Sequence, residues 1–212
     1  GYGMAMGQDP DLVRDITAAV KAVVDIPVIP KLTPNTPDIA VIAAAALEGG
    51  ADGLCAINTL GPGYTSAHGH PVLSNGNGGM SGKGILPIGM KCVRDIRAVT
   101  DQPIIGCGGV SSADDVRAYF DAGATVVGVG SSLTGLTTDD ISSYFQTLSN
   151  DLETGRSRAE SQIRYDIDMT FRPVTLVDNK RVCADIALLT FDRKINVQAG
   201  EFIFLWLPGL GE

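Results

Sequence analysis

At 212 residues the chain is long enough to bury a sizeable core, but it is short for a complete (β/α)8 barrel of ~250 residues. Hydrophobic residues make up 44% and charged residues 19%, which excludes intrinsic disorder driven by low hydrophobicity and high charge. The formal net charge of −8 argues against nucleic acid or an anionic membrane as partner, while leaving room for a local phosphate pocket. The 26 glycines and 11 prolines exceed average usage and point to many turns and backbone-lined sites. Cys55, Cys92, Cys107 and Cys183 form no CxxC pair and have no histidine at zinc-ligand spacing, which argues against a disulfide framework or a zinc site. No apolar run approaches the ~20 residues of a membrane helix, and no basic start followed by an apolar stretch marks a secretory signal.

Asp9-Pro10-Asp11 ahead of Leu12, Val13, Ile16, Ala19, Val20 and Val23 predicts a capped amphipathic helix. Ile26 to Leu32 reads as a buried strand, Asp38 to Glu48 as a helix and Gly53 to Ile57 as a second buried strand. The unit then repeats: Ile85 to Val99 is predicted helical, Pro103 to Gly106 extended, Ser112 to Ala122 helical and Thr125 to Val129 extended, with a last helix from about Asp139 to Leu152. Apolar strands alternating with amphipathic helices predict a parallel sheet with covered faces, in either a barrel or a doubly wound sheet. Residues 154–170 are more charged and less periodic, as in a linker. Beyond them, Arg172–Val177, Ala184–Thr190 and Phe202–Trp206 read as strands without intervening helices.

Ligands of parallel α/β proteins bind beyond the carboxyl ends of strands, so the residues there carry the functional expectation. They are Lys31, Asn58 and Thr59, the Gly106-Cys107-Gly108-Gly109 turn, and Gly130-Ser131-Ser132. Gly108 and Gly109 let backbone approach an anion, and Ser131 with the amides after Gly130 can donate to phosphate oxygens; the alternative is that these glycines only make tight turns. Lys31 closes an otherwise apolar strand, where its ammonium either faces the strand-end cleft or is an ordinary surface charge. Asn58 and Thr59 offer groups for a small polar ligand or for a helix cap. Gly76 to Gly82 is a glycine-rich loop before a helix, suited to wrapping an anion or to serving as a connector. His68 and His70 lack a third metal ligand nearby and read as solvated loop residues, and Cys107, beside the glycine turn where a thiol could act as a nucleophile, reads instead as a small packing residue.

Taken together in chain order, Gly7-Gln8-Asp9-Pro10, Pro30-Lys31-Leu32-Thr33-Pro34-Asn35, Ile57-Asn58-Thr59-Leu60, Pro71 to Asn75, Gly78-Gly79-Met80-Ser81-Gly82, Ile104 to Val110 and Val129-Gly130-Ser131 resemble class 1B dihydroorotate dehydrogenase over roughly residues 1–150. The resemblance implies the C-terminal part of a (β/α)8 TIM barrel that uses FMN to oxidise dihydroorotate to orotate in de novo pyrimidine (UMP) biosynthesis. It implies that Lys31 sits by the flavin pyrimidine ring, that Ile57 lines FMN, and that Gly82 contacts the flavin. Gly108, Gly109, Gly130 and Ser131 would hold the phosphate end, and Asn58 and Thr59 would hold the substrate. The family's catalytic base is a cysteine in a Ser-Cys-Pro-Asn loop ahead of the segment matched by Gly3 to Pro10; no such loop occurs here, none of the four cysteines matches it, and no catalytic residue is transferred.

From about Phe171, the stretches Arg172-Pro173-Val174, Ala199-Gly200-Glu201-Phe202 and Leu207-Pro208-Gly209 resemble the start of the family's electron-transfer subunit, a ferredoxin-reductase-like β-barrel that carries FAD and then an iron–sulfur cluster. The implied organisation is a partial barrel over 1–153, a linker over 154–170 and the first strands of the FAD-binding barrel over 171–212, with FAD and the cluster expected only in a continuation. Implied partners are dihydroorotate and orotate, an electron-transfer module, and further subunits in a homo- or hetero-oligomer, in the cytoplasm and with no nucleic acid or membrane. Two alternatives stand beside this. One is the flavin domain of dihydropyrimidine dehydrogenase, which shares the Gly-Gln-Asp-Pro and Lys-Leu-Thr-Pro-Asn stretches. The other is a non-catalytic half-barrel that binds FMN or assembles with a second half.

Overall fold

A computed structural model describes residues 6–64, 66–67, 70–71, 73, 76–157, 174–181 and 187–193. The first helix, α1 (Pro10–Lys21), starts where Asp9 Oδ1 accepts the amides of Asp11 and Leu12, with Pro10 in the first turn. It packs on α2 (Ile39–Glu48), which Asp38 caps through the Ala40 amide. Between them lies β1 (Lys31–Leu32), shorter than the predicted run from Ile26 because Pro27 and Pro30 have no amide to give to a ladder. After α2 come β2 (Leu54–Ala56), β3 (Leu60–Gly63), β4 (Ser66–Ala67), β5 (His70–Pro71) and β6 (Gly78–Met80). The glycine-rich stretch expected to be a loop is thus partly extended: β6 pairs antiparallel with β3 and folds back over the carboxyl end of β2. A 3₁₀ turn (Lys83–Ile85) leads into α3 (Leu86–Arg97), followed by β7 (Ile104–Cys107), α4 (Ala113–Asp121), β8 (Val126–Gly128), a 3₁₀ turn (Ser131–Leu133) and α5 (Thr138–Thr154).

The four longer-range strands form one parallel sheet in the order β1-β2-β7-β8, which is also their order in the chain. A doubly wound sheet reverses direction at a switch point, whereas a barrel wall adds strands sequentially. Among the described strands the order runs without a switch point, as it does along a barrel wall. Register fixes what faces where: Lys31, Cys55, Ile105 and Val126 lie in one row, and Leu32, Ala56, Gly106 and Val127 lie in the next. The second row packs under the helices, with Leu32, Ala56 and Gly106 buried, while the first is open at both ends, Lys31 and Val126 being exposed. The core sits between sheet and helices and includes Ile42, Leu54, Val93, Ile96, Ile104 and Tyr119.

In the carboxyl-terminal part, β9 (Leu176–Arg181) pairs antiparallel with β10 (Ala187–Phe191), a two-stranded sheet among the described residues with a register shift at Thr190/Phe191. The predicted strand at Phe202–Trp206 lies outside the described residues, as do all of 158–173 and 194–212. No helix among the described residues is long and apolar enough to cross a membrane.

Leu54 is fully buried between sheet and helices, so Leu54→Ala should cost about 2–5 kcal/mol. Val126→Ala, on the open row, should cost less than about 1 kcal/mol, and urea denaturation of the two variants checks the contrast.

Candidate functional site

Beyond the carboxyl ends of β1 and β2 lies a cleft of about 430 Å³. Lys31, Asn58 and Thr59 all line it, together with Thr33, Asn35 and Gly79. Three of the residues singled out from sequence thus meet in one concavity. Its floor is set by Asn35, whose Nδ2 donates to Thr33 Oγ1 at 3.0 Å and to the Thr59 carbonyl at 3.1 Å, while its Oδ1 accepts the Gly61 amide at 2.9 Å. Gln8 donates to the Asn35 carbonyl from the turn before α1. One asparagine thereby joins the loop after β1 to the loop after β2. A Cβ on Gly79 would fall 1.9 Å from Thr59 Oγ1, so only glycine lets β6 lie against the threonine.

Cys55 and Cys107 point to the same open side of the sheet, their sulfurs 3.7 Å apart, and Cys107 Sγ lies 3.3 Å from the Ile57 carbonyl. The Cys55 thiol donating toward Cys107 lowers the Cys107 pKa; burial opposes this, and the charge of Lys31 assists it. Cys55 is correspondingly pushed up, chiefly by its hydrogen bond to Cys107, then by burial and by the charge of a neighbouring thiolate.

A second group of predicted residues gathers at the ends of β7 and β8, outside the lining of that cleft. Ile57 is buried, and a Cβ on Gly108 would lie 3.1 Å from its Cγ1. Gly108 has φ +122°, Gly109 +76° and Gly82 +85°, all in the region that side chains disfavour. At Gly109 a Cβ would also meet the Leu86 amide nitrogen at 2.8 Å and the Gly82 carbonyl at 2.9 Å, so the β7–α4 turn and the Gly82 turn pack backbone on backbone. Gly130 opens onto free space, and Ser131 begins the turn after β8.

Asp115, Lys83, Tyr144 and Tyr119, which sequence reasoning did not single out, hold this region in place together with Ser132. Asp115, the third residue of α4, accepts the amides of Ser111 and Ser112 at 2.9 and 3.0 Å and both bonds from Lys83 Nζ at 2.7 and 2.8 Å. Ser112 and Asp115 form a capping box, for which the Ser-x-x-Asp spacing was the available signal. The Lys83 contact spans 32 positions and has no local signature. Above the same turn, Ser132 Oγ donates to the Val110 carbonyl at 2.5 Å, the Tyr144 hydroxyl to the Ser111 carbonyl at 3.1 Å, and the Tyr119 hydroxyl to the Gly108 carbonyl at 2.8 Å. The amides of Gly109, Gly130 and Ser131 donate to no acceptor among the described residues. A turn whose carbonyls are tied back while amides stay available has the polarity of an anion cradle.

Burial raises the Asp115 pKa, but the Lys83 ammonium and the serine donors outweigh it and hold the carboxyl below its ordinary value. A depressed pKa contributes stability above the unfolded value of ~3.9 that is lost as pH falls through the lower folded value. Asp115→Asn should therefore cost about 2 kcal/mol at pH 7, with the gap to wild type shrinking below about pH 4 in urea titrations.

Residues 1–149 match the family described as dihydroorotate dehydrogenase. The chain is 51% identical over 134 residues to "Dihydroorotate dehydrogenase B (NAD(+)), catalytic subunit" of Methanocella arvoryzae, covering 63% of this chain and 44% of that protein. It is 45% identical over 130 residues to the protein of the same description from Streptococcus pneumoniae serotype 4, covering 61% and 42%. "Dihydroorotate dehydrogenase A (fumarate)" of Lactiplantibacillus plantarum is 48% identical over 134 residues, covering 63% and 44%. Among solved structures, DHODH from Eimeria tenella in complex with ferulenol aligns with a TM-score of 0.54 at 24% identity, over 68% of this chain and 44% of that one, a likeness of fold. The chain spans less than half the length of these relatives.

Proposed function

Because residues 1–149 make this chain a member of the dihydroorotate dehydrogenase family, we propose that it carries the FMN-binding and substrate-facing part of an enzyme that oxidises dihydroorotate to orotate in pyrimidine biosynthesis. The observation that supports this most is the convergence of Lys31, Asn58 and Thr59 in one cleft at the carboxyl ends of parallel strands, where a barrel enzyme keeps its chemistry.

The residues present fit FMN. Available amides at Gly109, Gly130 and Ser131 suit a phosphate, and open space at Gly82 and Gly130 leaves room for backbone contact with the cofactor. When bound, the flavin supplies the acceptor for the substrate's hydride. Lys31 offers positive charge at the cleft, which favours negative charge developing on a neighbouring ring. Asn58 and Thr59 present amide and hydroxyl groups that orient a cyclic amide and its carboxylate. Ile57 gives an apolar wall that excludes water. No catalytic base is assigned within residues 1–212.

The B type is favoured by the resemblance of the residues from Phe171 onward to an electron-transfer subunit, since relatives of both the B and the A description match the barrel part at 44–51% identity. In this reading residues 154–170 link the barrel part (1–153) to the first strands of an FAD-carrying domain (171–212). The protein works with that electron-transfer module in a cytoplasmic homo- or hetero-oligomer.

FMN should be retained by the purified chain, and in the polypeptide that also supplies a Ser-Cys-Pro-Asn loop the flavin absorbance should bleach on adding dihydroorotate. Retention there without bleaching supports the assembly-module alternative, and bleaching only by a dihydropyrimidine without the carboxylate supports the dihydropyrimidine dehydrogenase alternative. In the same polypeptide Lys31→Ala should slow flavin reduction roughly a hundredfold while weakening FMN binding less than about tenfold, as stopped-flow reduction and FMN titration will measure.

A further inference from the structure

Tyr119 belongs to α4 and is fully buried, yet its hydroxyl reaches the turn after β7 and donates to the Gly108 carbonyl at 2.8 Å. The room for it is made by glycines from two other elements. A Cβ on Gly89 of α3 would fall 2.0 Å from the Tyr119 hydroxyl oxygen, and one on Gly106 of β7 would fall 2.5 Å from Tyr119 Cδ1. Gly108 sits at 3.4 Å from the same oxygen by the same measure. The ring thus fills a slot that α3, β7 and the turn leave open.

The hydrogen bond has a consequence at the next residue. A trans peptide is planar, with its C=O and N–H pointing in opposite directions. Drawing the Gly108 carbonyl in toward α4 therefore turns the Gly109 amide away from the helical layer. That amide has no acceptor among the described residues. With φ at +122° and +76°, Gly108 and Gly109 have no side chain to resist a flip of this peptide, so something else must fix its direction. Burial also keeps the Tyr119 hydroxyl protonated, hence a donor, by raising its pKa.

We propose that Tyr119 is a positioning residue for the phosphate of FMN: by holding the Gly108 carbonyl inward, its hydroxyl presents the Gly109 amide to the phosphate oxygens. The proposal rests on the flavin reading above and deepens it, because it assigns the phosphate selectivity of the site to one buried hydroxyl that touches neither cofactor nor substrate.

The test compares FMN with riboflavin, which has the same ring system and no phosphate, by titration of the full chain as wild type and as Tyr119→Phe. Wild type should bind FMN more tightly than riboflavin, and Tyr119→Phe should reduce that preference about tenfold by weakening FMN alone, because the oriented amide is lost. A purely structural role would weaken both ligands together. Replacing Tyr119 with 4-fluorophenylalanine fills the hydroxyl's space without a donor and keeps the test valid should the phenylalanine variant not fold; it should lose the preference as well. 4-Aminophenylalanine, which restores an N–H donor, should recover it. A folded Tyr119→Phe or 4-fluorophenylalanine variant with unchanged FMN preference overturns the positioning role and leaves the flavin reading standing. Wild type binding riboflavin as tightly as FMN overturns the phosphate assignment and the proposal with it.

Discussion

A slip of one residue in the parallel register between β1 and β2 would carry Lys31 from the cleft into the layer now filled by Leu32 and Ala56, where an unpaired ammonium is strongly disfavoured. The same slip would turn Leu32 outward. Register is therefore fixed by burial, and it propagates: with Lys31 opposite Cys55, Cys55 opposite Ile105 and Ile105 opposite Val126, every side chain on the open side of the sheet is determined. The two thiols meet because Cys107 follows Ile105 by two residues on that side.

The same register aligns the carboxyl ends of the strands, and the loops are then tied to one another by single polar side chains. Asn35 joins the loops after β1 and β2. Asp115 joins the turn after β7 to Lys83, ahead of α3, and Ser132 joins it to the turn after β8. Each bridge satisfies backbone groups that would otherwise be left without partners near the protein interior. Glycine appears where loops touch: Gly79 against Thr59, and Gly109 against Gly82 and Leu86. The glycine excess in the composition is in part a consequence of these close approaches.

Much of this was legible in the chain itself. Asp9-Pro10, Asp38 and Ser112 mark helix starts through side-chain oxygens that accept free amides, a local effect written in a few adjacent residues. The positions of β2, β7 and β8 follow from short apolar runs. Apolar character alone extends β1 back to Ile26, whereas prolines at 27 and 30 cannot donate to a ladder and the strand begins at Lys31. The Gly76–Gly82 stretch gave no sign of β6, because its extended form depends on pairing with β3 and not on its own preferences. Of the site, the ordered motifs pointed to Lys31, Asn58, Thr59 and the glycine turns. They were silent on Lys83 and on the hydroxyl of Tyr119.

By itself the sequence determined which segments are helices and strands, that the sheet is parallel, and which residue types stand at the strand ends, because caps, periodicity and breakers act over a few neighbours. Only the tertiary structure fixed which strands are neighbours and in what register, because pairing partners lie far apart in the chain. Only it drew Cys55 to Cys107, Lys83 to Asp115 and Tyr119 to Gly108, contacts spanning 52, 32 and 11 positions. Such contacts depend on how helices and sheet pack, and burial strengthens a hydrogen bond only after that packing has removed water.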